Sequence, residues 1–160
     1  MKKLHLGFLL IAATIIFNAP NAVAQYEKGD KLLNIGVGLR SFYIPIGASL
    51  EVGITDEISV GGMAAVASWS GYGSVTYFGA RGSYHVNELL KLNEEKLDLY
   101  AGAGLGYQSW NYKYSVGSYG SGVFPLFFIG GRYYFKPKIA VFAEAGGGYA
   151  GLNGGISFKF

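Results

Sequence analysis

Few side chains in this sequence could serve as nucleophiles, general bases or metal ligands. The 160 residues contain no cysteine and two histidines, one of which lies within the first 24 residues. The other, His85, follows Ser83 by two residues, so in a strand both side chains would lie on one face. A serine hydrolase also needs an acid to orient the imidazole, for which Asp98 and Glu144 are candidates. The sequence does not bring an acid to the pair, so Ser83 and His85 remain an alternative and we predict no catalytic residue.

Two further patterns could bind a ligand, and neither predicts a site. The stretch GGGYAG at 146–151 has the form G-x-G-x-x-G, but a dinucleotide site needs a strand before this motif and a helix after it. Here the following residues alternate as a strand does. One histidine with scattered carboxylates has no metal-ligand spacing either. We therefore predict no cofactor and no metal.

The first 24 residues have the order of a secretory signal. Lys2 and Lys3 open it, an apolar run covers 4–17, and small residues end at Ala24. That run would span about 21 Å as a helix, less than the ~30 Å apolar core of a bilayer, which disfavours a spanning anchor. We predict a signal peptide over 1–24, cleavage after Ala24, and one mature domain over 25–160.

The composition after this segment is typical of strands in an apolar medium. The sequence has 26 glycines, 13 tyrosines and 11 phenylalanines, and 14% of its residues are charged. Ordinary soluble domains have about 25% charged residues. The formal net charge of +3 includes Lys2 and Lys3, so the exported chain is nearly neutral and no nucleic-acid partner is predicted.

Apolar and polar residues alternate with a period of two along the exported chain, which is the strand signal. The alternation predicts eight strands, over 31–41, 46–54, 58–67, 74–86, 97–109, 123–135, 139–149 and 152–160. Their lengths suit tilted strands that cross a bilayer, and an even number returns both chain ends to one side. Lipid also requires that no sheet edge stay open. The predicted fold is all-β: a closed, eight-stranded, antiparallel, up-and-down transmembrane β-barrel.

Charged residues within the predicted strands all fall on the face opposite Leu, Ile, Val and Phe. There are seven of them: Arg40, Glu51, Arg81, Asp98, Arg132, Glu144 and Lys159. Seven charges are too few to solvate the outside of a soluble barrel, but they suit the narrow interior of an eight-stranded one. We predict that the apolar face points outward and that the four cations pair with the three carboxylates inside.

Aromatic residues collect near the predicted strand ends. One set is Trp69, Tyr72, Trp110 and Tyr112, and the other is Tyr84, Tyr133, Phe158 and Phe160. Two sets at opposite ends predict aromatic girdles at the two membrane interfaces. The loop over 110–122 is rich in Tyr, Ser and Gly, a composition of adaptable recognition loops, and is the candidate surface for an extracellular ligand.

The signal, the eight alternating strands, GGRYYF at 130–135 and ISFKF at 156–160 together resemble the small eight-stranded outer-membrane barrels of Gram-negative bacteria, the OmpA/OmpX type. The resemblance covers 25–160. It implies an integral outer-membrane protein that periplasmic chaperones and the outer-membrane assembly machinery insert. In that family the machinery reads a final strand that ends in Phe, which here is Phe160.

These observations predict a non-enzymatic protein of the outer membrane with a structural or surface-interaction role. Its partners would be membrane lipid and lipopolysaccharide, and its interior would be filled by polar side chains. A wide pore is not expected, since diffusion pores need about 16–18 strands. Two alternatives stay open: a lipid hydrolase or acyltransferase that uses Ser83 and His85, and an exported soluble barrel that carries an apolar ligand inside.

Overall fold

The computed structural model describes residues 26–41, 43–69, 71, 73–92, 94–113 and 120–160. These residues form eight strands: β1 (Lys31–Leu39), β2 (Ile46–Gly53), β3 (Ile58–Trp69), β4 (Gly73–His85), β5 (Leu97–Tyr112), β6 (Gly122–Lys136), β7 (Ile139–Gly146) and β8 (Leu152–Lys159). The predicted signal peptide 1–24 and Tyr72 lie outside the described residues, as do residues 114–119 of the loop 110–122.

The eight strands form one closed antiparallel barrel. Each strand pairs with the next in the chain, and β1 pairs with β8 from Leu32↔Lys159 to Leu39↔Leu152. The predicted all-β, closed, up-and-down architecture is confirmed. No helix among the described residues is long and apolar enough to cross a membrane.

Strand ends differ from the prediction mainly at one end of the barrel. β3 continues to Trp69 and β5 to Tyr112, two and three residues beyond the predicted ends. β7 stops at Gly146, three residues early. Gly146 has a φ of 140°, which side-chain-bearing residues rarely adopt, so the chain leaves the strand at this glycine.

The predicted sidedness of the wall is confirmed. Large apolar side chains point outward, among them Val37, Leu105 and Phe127, of which 51%, 63% and 66% is exposed. Glu51 and Arg132, by contrast, are fully buried inside the barrel. Side chains alternate between the two faces of a strand. A single register of each strand therefore puts its apolar residues on the outside and its polar residues on the inside.

The two ends of the barrel differ. We call the end where β1 begins and β8 ends the base, and the opposite end, with connections 40–45, 70–72, 113–121 and 147–151, the rim. β3 to β6 have 12, 13, 16 and 15 residues, whereas β2, β7 and β8 have 8 each and β1 has 9. The wall is therefore taller at the rim along β3–β6 than along β7, β8, β1 and β2.

Inward glycines on β5 and β6 accommodate aromatic rings from the neighbouring strand. Tyr100 lies opposite Gly130 in the register, and Phe128 lies opposite Gly102. A Cβ at Gly130 would lie 2.6 Å from Cζ of the Tyr100 ring. The interior of an eight-stranded barrel is narrow. A glycine opposite each ring leaves the space that the ring needs.

Gly130→Ala should lower the free energy of unfolding by about 1–3 kcal/mol, because the new methyl group overlaps the Tyr100 ring in a packed interior. Urea unfolding of the barrel in detergent micelles, followed by tryptophan fluorescence, measures the change. Gly82→Ala is the matched control, since its Cβ would meet no atom closer than 3.5 Å. An equal loss in both variants would contradict this account of the Gly130–Tyr100 pair.

Candidate functional site

Five of the seven predicted charges meet inside the barrel. Five different strands each supply one: Glu51 from β2, Arg81 from β4, Asp98 from β5, Arg132 from β6 and Glu144 from β7. All five side chains are buried. The interior cluster therefore connects strands that are not neighbours in the wall.

Arg81 joins two carboxylates. Its Nη2 and Nη1 donate to Oε1 and Oε2 of Glu144 at 2.6 and 3.2 Å, and its Nε lies 3.1 Å from Oε1 of Glu51. The paired bonds to Glu144 fix the plane of the guanidinium. The Phe128 ring covers one face of that plane, with its centroid 3.8 Å from the guanidinium carbon.

Arg132 forms the second half of the cluster. Its Nη1 donates to Oδ2 of Asp98 at 2.7 Å, and its Nη2 lies 3.8 Å from Oε1 of Glu51. Its Nε donates to Oδ1 of Asn34 at 3.2 Å. The Tyr100 ring lies 4.1 Å from the guanidinium carbon, and the Tyr100 hydroxyl donates to Glu144 at 2.9 Å. Glu51 and Tyr100 thus link the two arginines.

Polar partners that the sequence analysis did not assign complete the cluster. Ser59 and Ser83 donate to Oε2 of Glu51 at 2.9 and 2.5 Å. Asn153 donates to Oε2 of Glu144 at 3.4 Å. Each of these three side chains lies on the inward face of its strand and donates a hydrogen bond to a carboxylate. Strand alternation was the available signal for them, but alternation alone does not say which partner across the barrel each one reaches.

His85 lies at the base end of this cluster. Its Nδ1 is 2.7 Å from Oδ1 of Asp98, and its Nε2 is 3.1 Å from the Ser59 hydroxyl. The Tyr26 ring stacks on the imidazole with a centroid distance of 3.6 Å. Burial raises the pKa of the Tyr26 hydroxyl to about 12, so it stays protonated and donates to the Ile58 carbonyl at 2.8 Å. Tyr26 thereby covers the cluster at the base.

The alternative hydrolase pair does not form. Ser83 donates to Glu51, and the serine beside His85 is Ser59. Ser59, His85 and Asp98 have the distances of a catalytic triad, but Ser59 and Asp98 are fully buried, and Tyr26 stacks on His85. A triad also needs a substrate carbonyl beside its nucleophile, whereas the Ser59 hydroxyl is fully buried and donates to Glu51 at 2.9 Å.

Arg40 and Lys159, which were predicted to pair with the interior carboxylates, lie elsewhere. Arg40 is exposed just beyond β1, where its Nη1 donates to the Gly148 carbonyl at 3.4 Å. Lys159 lies at the base and pairs with Asp30 at 3.3 Å. Both side chains follow the predicted inward parity, but at the two ends of the barrel they are too far along the axis to reach the cluster.

The aromatic set at the rim differs from the predicted girdle. Trp69 and Trp110 are partly buried against the interior apolar cluster, and their rings meet at 5.7 Å. Tyr112 stacks on Trp110 at 5.9 Å, and Tyr43 stacks on Trp69 at 5.4 Å. The cause is that β3 and β5 continue farther than predicted, so that the alternation carries these rings to the inward face. They cover the mouth of the barrel instead of forming an outer belt.

The aromatic set at the base lies on the outer face, as predicted. Tyr84 pairs with Ile58 across β3 and β4, and Phe158 pairs with Ile139 across β7 and β8, all at the base end of their strands. Tyr84 and Phe160 are 43% and 63% exposed, and Tyr133 is half-buried.

The interior is polar only in part. Toward the rim it contains an apolar cluster of Met63, Ala65, Ala67, Val75, Tyr77, Leu126, Tyr149 and Ala150. The Tyr43 and Tyr77 hydroxyls meet at 2.5 Å within this region. The predicted interior, polar throughout, is therefore wrong toward the rim. Among the described residues no group of three or more His, Asp or Glu could hold a metal ion.

The fold is similar to a solved structure, the crystal structure of the N-terminal β-barrel domain of Pseudomonas aeruginosa OprF. The two chains are 21% identical with a TM-score of 0.57, and the match covers 83% of this chain and 98% of that chain. It agrees with the predicted resemblance at the level of the fold. A scan against protein-family models and a search of curated proteins found no match.

Arg132→Met should lower the free energy of unfolding by about 3–5 kcal/mol, because it leaves Asp98 and Glu51 buried without one of their cations. Urea unfolding in micelles measures the loss. Arg40→Met makes the same substitution at an exposed site and should change stability little. A small effect at Arg132 would mean that water or a protonated carboxyl replaces the guanidinium, contrary to the role given to it here.

Proposed function

We propose that this chain is an integral outer-membrane protein with a structural or surface-interaction role, exported by the segment 1–24 and without a wide pore. The observation that carries the proposal is the sidedness of the closed wall. Ionised side chains from five strands are enclosed, while Leu, Ile, Val and Phe cover the outside. In water such an outer surface would be a large apolar patch, and in a bilayer it is the lipid-facing band.

The height of the wall fits this environment. The shortest strands, β2, β7 and β8, have eight residues each. At a rise of about 3.4 Å per residue and a tilt near 40°, they cross on the order of 20 Å, close to the apolar band of outer-membrane barrels. Tyr84 and Phe158 lie at the base end of this band, where interfacial aromatic residues are expected.

The filled interior supports the absence of a wide pore and disfavours the soluble carrier. The space beside Met63, Arg81 and Glu144 has a volume of about 10 Å³, room for one water molecule. An apolar ligand inside would also need an apolar lining along the whole barrel, whereas the charged cluster fills the interior toward the base. The outward direction of the large apolar residues contradicts that alternative as well.

The orientation and partners extend the same proposal. Both ends of the barrel chain lie at the base, which we assign to the periplasm, so the rim and the loop 110–122 face outward from the cell. Membrane lipid and lipopolysaccharide would contact the wall, and an extracellular ligand would contact the loop. Periplasmic chaperones and the outer-membrane assembly machinery would act during insertion, with Phe160 as the residue read.

Membrane fractionation tests the location. The protein should remain with the outer membrane after a carbonate wash, need detergent for release, and begin at Gln25 by N-terminal sequencing. It should also migrate differently in detergent electrophoresis with and without boiling, because a closed barrel resists unfolding until heated. Release by carbonate, together with one mobility under both conditions, would contradict the proposal.

Conductance tests the closed interior separately. In planar bilayers the purified barrel should show no large, steady current of the kind that wide diffusion pores give. Sustained porin-sized conductance would contradict a side-chain-filled interior while leaving the membrane location intact.

A further inference from the structure

The unequal height of the wall leaves an open groove at the rim. β6 pairs with β7 only as far as Phe128↔Gly146, and the Gly147 N–H then donates to the Phe127 carbonyl at 2.6 Å. The edge of β6 that faces β7 therefore has no strand beside it from Gly122 to Leu126. Pro125 lies in this free edge. A proline suits an edge because it has no backbone N–H that would need a hydrogen-bond partner. The groove opens above the connection between β7 and β8 and has a volume of about 560 Å³.

One wall of the groove continues into the lipid-facing surface. Leu39 lines the β1 side of the groove, and the outward Pro125 lines the β6 side. Phe124 lines it from the inward face of β6, where its ring also contacts Tyr77 at 6.0 Å, and the glycines of 146–148 form the floor. Leu39 is 58% exposed, and Phe127, next to the groove on the outer face, is 66% exposed. An acyl chain in the surrounding bilayer could therefore enter the groove without leaving an apolar environment.

The groove also contains a cation. Arg40 lines it, with its guanidinium carbon 5.7 Å from the centroid of the Tyr77 ring, and the bond to the Gly148 carbonyl uses one of the five N–H donors of this guanidinium. None of the ten acidic residues of the sequence lies in the rim connections: seven lie in the base segments and three, Glu51, Asp98 and Glu144, lie in the interior. The rim connections contain Arg40 and Lys113, so the field there favours anions.

We propose that this groove binds one phosphorylated lipid of the surrounding leaflet, with the phosphate on Arg40 and an acyl chain against Leu39, Phe124 and Pro125. The inference rests on the proposed membrane location. A free phosphate ion would meet a single exposed cation and gain nothing from the apolar wall. A phosphate attached to an acyl chain gains from both, because the cation and the apolar side chains line the same groove.

Native mass spectrometry of the purified, folded barrel in dodecyl maltoside tests the site, with didecanoyl phosphatidic acid as the probe. The wild type should bind one lipid, and Arg40→Gln should weaken binding about tenfold, the loss expected for a charge-assisted hydrogen bond. Lys113→Gln removes the other rim cation, which does not line the groove, and should leave the affinity unchanged. Equal affinities for the two variants, or no complex of one lipid with the wild type, would overturn the proposal.

A second pair of variants tests the groove itself. Gly147→Leu should abolish binding by filling the floor, where an added Cβ would lie 3.6 Å from the Phe127 nitrogen. Gly120→Leu, at a rim position with no neighbour within 4 Å and outside the groove, should bind as the wild type does. Heat-dependent mobility shows that each variant is folded before it is compared.

Two further probes test whether the groove recognises a free phosphate ion, an acyl chain alone, or the two together in one lipid. Inorganic phosphate and didecanoylglycerol should each compete far less well than the phospholipid. Displacement by inorganic phosphate at the same concentration would show a free-anion site and overturn the lipid proposal. Because these measurements use purified protein in micelles, they can fail while fractionation still places the protein in the membrane, so the two failures are distinguishable.

Discussion

The enclosed ion pairs are the constraint on which the rest of this structure depends. Glu51, Arg81, Glu144, Arg132 and Asp98 come from five strands and have their partners only inside the closed wall. A shift of one strand by one residue would turn its charge outward into the apolar face and leave its partner buried alone. The same requirement orders the polar side chains around them, since Ser59 and Ser83 donate to Oε2 of Glu51 and Asn153 donates to Oε2 of Glu144.

The sequence was sufficient for the architecture and for the direction of each strand face, because both depend on a local period of two. That period puts Arg81 and Arg132 on the face opposite Leu, Ile, Val and Phe, and the small number of charges indicates that this face is the inner one. The sequence was not sufficient to predict which inward side chains pair with each other. The tilt and stagger of the strands decide how far apart two inward residues lie along the barrel axis. Arg40 and Lys159 have the inward parity of the cluster, yet they lie at its opposite ends. The predicted strands end before Trp69 and Trp110, and the two or three additional residues of β3 and β5 bring their rings to the mouth.

The interior divides into two regions with different chemistry. Toward the base, buried charges and hydroxyls hold five strands to one another, and Tyr26 covers them. Toward the rim, Tyr77, Leu126 and Tyr149 pack with Trp69 and Trp110, so that rings and methyl groups occupy the mouth. This arrangement covers the ion pairs at both ends of the barrel. It also leaves Arg40 exposed at the rim, beside the groove that the short β7–β8 connection opens.

The seam between β1 and β8 joins residues that lie more than one hundred positions apart in the chain. Gly36, Gly154 and Gly155 crowd together there, with backbone atoms where side chains would otherwise be. Such a seam gains nothing until both outermost strands are in place, and before then each presents a free row of amides and carbonyls. Assembly of the cylinder should therefore be cooperative in its last step, with zippering of this glycine-rich junction as the event that removes both exposed margins at once.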